Sequence, residues 1–92
     1  MIRSFRHKGL NRYYMQGNAS GLPGAYLARL NRMLDALDAT IAVPELDVPG
    51  WHLHRLKGSE KHRHSLRVSA NWRLTFEFVD GDAHLIDLED YH

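Results

Sequence analysis

Cysteine is absent from all 92 residues, which excludes disulfides, thiolate zinc sites and cysteine nucleophiles and leaves stability to packing alone. Proline is scarce, at three. No apolar run approaches the roughly 18 residues of a membrane span, and the opening Met1-Ile2-Arg3-Ser4-Phe5-Arg6 has no apolar signal core. These absences predict a soluble, cytoplasmic protein without membrane contacts. There is no internal repeat, low-complexity tract or linker, so residues 1–92 read as a single domain. Net charge is low as well, +1 with the histidines neutral.

What the chain does have is seven histidines and a local excess of cations. Between Trp51 and Arg73 lie Arg55, Lys57, Lys61, Arg63, Arg67 and Arg73 against one carboxylate, Glu60. Such a basic field on a nearly neutral protein suits a polyanion such as RNA; the ordinary alternative is a solvated charged face.

Periodicity supplies the elements. Ile2–Phe5 reads as a short strand and 7–16 as a helix closed by Gly17. Tyr26, Leu27, Leu30, Met33, Leu34, Leu37 and Ile41 share one face of a second helix, with Ser20 and Pro23 as start signals and Pro44 as its limit. From Ser65 the period becomes two. Leu66, Val68, Ala70, Trp72, Leu74, Phe76 and Phe78 alternate with polar residues, which predicts an apolar face for the helices and a polar face presenting Arg67 and Arg73. A turn at Ser69-Ala70-Asn71 divides this stretch, Asp80-Gly81-Asp82 makes a tighter one, and a last strand runs over 83–88. The predicted class is α+β: two N-terminal helices on a small, mostly antiparallel twisted sheet.

Three groups of residues carry chemistry: His54 and Lys57; Arg67 and Arg73; and the terminal Glu89-Asp90-Tyr91-His92. Imidazoles exchange protons near neutrality, carboxylates orient them, and cations hold phosphate. For a single histidine among seven, a structural role is the commoner outcome. His52-x-His54 and His62-x-His64 raise a zinc site, but no third and fourth ligands stand at a set spacing; Asp87 with Glu89 raise a magnesium site beside substrate phosphates, where Arg and Lys already provide the charge, so no metal or cofactor is expected. His62 and His64 read instead as exposed neighbours of phosphate. Tyr91 either packs on the core or stacks on a base, and Trp72 has the parity of the core.

Leu53-His54-x-Leu56-Lys57-Gly58, Ser65-x-Arg67-Val68, Asn71-Trp72-Arg73-Leu74-x-Phe76-x-Phe78 and the terminal Glu89-Asp90-Tyr91-His92 together resemble the HigB toxins of the RelE/ParE superfamily over the whole chain. The resemblance implies a ribosome-dependent mRNA endonuclease that acts on A-site codons by acid-base transesterification. It also implies a helix-turn-helix antitoxin of HigA type as partner, with operator DNA reached only through that antitoxin. Carried over, the functional positions are His54, Asp90, Tyr91 and His92, with Lys57 and Arg73 as cationic partners. The departure is the histidine-rich loop 59–64. Two other readings compete: a ParE-like gyrase poison, which would not need the Asp-Tyr-His end, and a non-catalytic RNA- or protein-binding module.

Overall fold

A computed structural model describes residues 1–90 of the chain. Helix α1 is Lys8–Gln16. His7 stands just outside it as the N-cap, its Nδ1 accepting the Leu10 amide at 3.1 Å, and Gly17 ends it at φ +71°, a conformation glycine enters without steric cost. Helix α2 is Leu27–Ala39, entered through a 3-10 turn, Gly24–Tyr26, that follows Pro23. Leu30, Met33, Leu34 and Leu37 are buried as their spacing predicts. Ile41 does not join them: it is 77% exposed. The helix stops one residue before Thr40 because Glu45 gathers the Thr40 hydroxyl and the amides of Ile41 and Ala42, turning the chain away before Pro44 is reached.

Among the described residues the sheet has four antiparallel strands in the order of the chain: β1 (His54–Arg55), β2 (Arg63–Arg67), β3 (Trp72–Val79) and β4 (Asp82–Asp90). The division near Ala70 is found; Val68 and Ser69 amides both donate to the Trp72 carbonyl across the turn. At the second turn Asp80 and Gly81 have φ of 51° and 83°, the pair of positive angles a two-residue hairpin requires. The core joins Leu10 of α1 and the α2 stripe to Leu66, Leu74, Phe76, Ile86 and Leu88. Trp72 packs at its margin, half-buried, while Trp51, at 7% exposure, is the deeper of the two tryptophans. The α+β architecture is therefore as predicted.

Two further expectations are corrected. Ile2–Phe5 forms only isolated parallel bridges, Ile2 to Ala83 and Phe5 to Ile86, because β4 bulges between them. Leu85 adopts φ 51° and gives its amide to the Ser4 hydroxyl, so the ladder is interrupted. The second correction concerns the polar side of the sheet, which is not an open solvent face. Arg63, Ser65 and Thr75 are fully buried there, and Arg67 and Arg73 are half-buried.

Candidate active site

Residues paired across antiparallel strands share a face. One row of the sheet is therefore His54, Ser65, Thr75, Asp87, and the next is Arg67, Arg73, Glu89, both on the face away from the helices. Just beyond β1, the chain at Leu56–Glu60 borders an open cleft of about 360 Å³ lined by His54, Arg55, Leu56, Lys57, Glu60 and Glu89. Thus the structure brings together His54 and Lys57, as the sequence suggests. It connects them to Arg67 and Arg73 through Glu89, which lines the cleft and is also the cross-strand neighbour of Arg73.

Arg67 opposite Arg73 is a like-charge pair, normally unfavourable across a sheet and favourable once an anion lies between. Arg73 Nη1 donates to the carbonyls of Ser69 at 2.8 Å and Trp72 at 3.3 Å, which holds its guanidinium beside the β2–β3 turn. Asp90 pairs with Trp72, a member of the helix-side set, so it leaves β4 on the face opposite that of His54 and Glu89. The candidates Tyr91 and His92 lie outside the described residues.

Sequence reasoning missed the buried network under the cleft. Arg63 Nη2 donates to Thr75 Oγ1 at 3.0 Å and to the Leu85 carbonyl at 2.8 Å, and Thr75 donates in turn to Glu89 Oε2 at 2.5 Å. Glu77 and Glu60 stand 3.6 and 3.8 Å from the same guanidinium. Burial, and then the nearby Arg6, lower the Arg63 pKa from its usual value, while Glu89, Glu77 and Glu60 act against that. Among the described residues, Arg63 Nε and Nη1 and Ser65 Oγ have no hydrogen-bond partner. Arg63 and His64 belong to β2 and not to the histidine-rich loop; His64 is no exposed phosphate neighbour but a half-buried ring stacked on Phe76, centroids 5.6 Å apart.

The bulge at Leu85 decides which β4 side chains face the cleft. On the turn side of it Glu77 pairs with His84, and beyond it Thr75 pairs with Asp87, a shift of one residue. Without that extra residue Leu88 would stand opposite Arg73 and Glu89 would point to the other face. The signal was available: Leu85-Ile86 breaks the alternation of the last strand.

His54 is fixed from its own side of the cleft. Its Nδ1 lies 3.0 Å from the His52 carbonyl, and His52 holds a φ of 49°. Flanking Trp51 is tied down on both sides, its amide donating to the Val48 carbonyl and its carbonyl accepting the Arg67 amide at 2.6 Å. Arg29 from α2 binds the carbonyls of Gly50 and Arg67.

The family model for a RelE-like toxin of the type II toxin-antitoxin system HigB matches residues 3–92. The chain is 44% identical over 92 residues to a Proteus vulgaris protein named Endoribonuclease HigB, covering all of both chains. It is 35% identical over 85 residues to Toxin HigB-1 of Vibrio cholerae serotype O1, covering 90% of each. Among solved structures, a variant of YafQ from E. coli superposes with a TM-score of 0.65 at 16% identity, over 98% of this chain and 91% of that one, a likeness of fold.

Proposed function

Because this chain belongs to the HigB family of RelE-like toxins of type II toxin-antitoxin systems, we propose that it is an endoribonuclease that cuts mRNA at codons in the ribosomal A site and so stops translation in the cytoplasm. The observation that carries this reading is the cleft where His54 and Lys57 meet Glu89, beside the row Arg67–Arg73. RNA carries its own nucleophile, the 2′-hydroxyl. The protein must take the proton from that hydroxyl, give one to the departing 5′-oxygen and stabilise charge on the phosphate. In this reading His54 and His92 are the proton-transfer pair, with Tyr91 as the alternative acid; the resemblance adds Asp90 as the residue that orients His92, from the face of β4 opposite His54. Lys57, Arg67 and Arg73 hold the phosphate, so the scheme calls for no metal. The products are a 2′,3′-cyclic phosphate and a 5′-hydroxyl end.

A domain of this size has little surface with which to hold RNA in line for attack, and the ribosome supplies that positioning, which lowers a barrier without any side chain reacting. The partner in the resting state is a HigA-type helix-turn-helix antitoxin, which alone touches operator DNA. The test compares cleavage of free mRNA with cleavage of the same mRNA during translation, mapping cut sites and end groups. Cuts within translated codons and little on free RNA are expected. Equal rates would remove the ribosome from the scheme. Absence of cleavage with inhibition of gyrase would replace it by the ParE-like reading, and RNA binding without any cutting by the binding module.

A further inference from the structure

The bond between His54 Nδ1 and the His52 carbonyl bears on the direction of proton transfer. A carbonyl oxygen only accepts, so Nδ1 must carry the hydrogen. In the neutral imidazole the lone pair then resides on Nε2, the nitrogen left for the cleft that His54 lines. The carbonyl reaches this place because His52 sits at φ 49°, a region where residues other than glycine are uncommon. Its neighbours impose the angle. Trp51 is buried and tied to Val48 and Arg67, while His54 must pair with Ser65, so the chain turns sharply at the single residue between Trp51 and Leu53. Residues held against their backbone preference in this way concentrate at functional sites.

We propose that His52 is a positioning residue whose left-handed main chain locks neutral His54 in the Nδ1–H tautomer, so that Nε2 is the nitrogen that exchanges the proton, and that in this neutral form it takes the 2′-hydroxyl proton. The step balances. The 2′-O–H proton passes to Nε2, the freed electron pair forms the O2′–P bond, and the P–O5′ bond breaks with its pair on O5′. That oxygen receives a proton from the other donor of the proposed scheme, and solvent returns both groups to their starting states. The inference rests on the endoribonuclease reading and assigns the roles within it.

Three measurements test it. Nitrogen-15 ring shifts of His54 in the free protein are expected to show protonated Nδ1 and unprotonated Nε2; a predominant Nε2–H form overturns the lock. His52→Val, whose branched side chain resists a positive φ, is expected to lower kcat at least about 10-fold relative to His52→Gly with KM little changed. Equal kcat for the two folded variants overturns the role of the backbone. The third uses mRNA carrying sulfur in place of the 5′-bridging oxygen at the cut site, a leaving group that needs no proton. Cleavage of both mRNAs by the wild type tests the underlying reading. The defect of His54→Ala is expected to persist on the sulfur substrate, and its rescue would make His54 the acid and sink the assignment.

Discussion

Thr75 gives its hydroxyl hydrogen to the Glu89 carboxylate at 2.5 Å while its oxygen accepts from the buried Arg63 guanidinium at 3.0 Å. One hydroxyl so bridges a buried cation and a carboxylate of the cleft wall. Thr75→Val keeps the shape and removes both bonds, leaving the fully buried Arg63 short of a partner. Removing one partner of a buried hydrogen-bonded group costs about 1–3 kcal/mol. Urea unfolding is expected to show a loss of that order, with Thr75→Ser recovering most of it; an unchanged midpoint for the valine variant would mean that the bridge contributes no net stability.

The bulge offers a test that joins stability to register. Leu85 holds φ 51°, which for an L-residue costs roughly 1–2 kcal/mol relative to the right-handed region. Asparagine tolerates that conformation and valine does not. Leu85→Asn is expected to be more stable than Leu85→Val by about 1 kcal/mol. Any relaxation of the bulge in the valine variant moves Glu89 out of the cleft, so its cleavage of translated mRNA should fall further than its stability does. Equal midpoints for the two variants would show that the bulge is not strained.

His64 makes stability depend on pH near neutrality. Burial, and then the Arg55 charge, lower its pKa below the ordinary histidine value, and the unfolded chain restores that value. The unfolded state therefore binds the proton first as pH falls. The contribution is complete above about pH 6.5 and is lost as pH drops through the lowered folded value. The wild-type melting temperature should decline between about pH 7.5 and 5.5, and His64→Gln should decline less over the same window. Parallel declines would assign the effect to other groups.

In the cleft, His54 and Lys57 should separate into chemical and electrostatic roles. His54→Ala is expected to slow cleavage on the order of 10²–10⁴-fold, the usual share of an acid-base group, with an unchanged fold because the ring is exposed. Lys57→Met should weaken RNA engagement and make it less sensitive to salt, since one fewer phosphate counterion is released. Comparable salt slopes for Lys57→Met and wild type would remove Lys57 from the phosphate contacts.

Much of this architecture was legible in local pattern. The α2 stripe from Leu30 to Leu37, the period-two run around Leu74 and the Asp80-Gly81 turn are set by spacing and by backbone preference, which depend on near neighbours alone. The grouping of His54 with Lys57 was legible for the same reason, since three residues of an extended segment cannot stray far apart. The exposure of Ile41 was not, because it follows from Glu45 drawing hydrogen bonds away from the helix end.

Chain order alone determined the α+β class, the two turns, the absence of cysteine chemistry and the concentration of positive charge between Trp51 and Arg73. Tertiary structure decided which side chains meet. A single extra residue at Leu85 shifts the register of β4 and brings Glu89 over to Arg73, Thr75 and the cleft, and the burial of Arg63 supplies the cation beneath it. Periodicity gives each strand two faces, but which face a residue occupies after a bulge, and whether a polar face is covered, depend on partners far away in the chain.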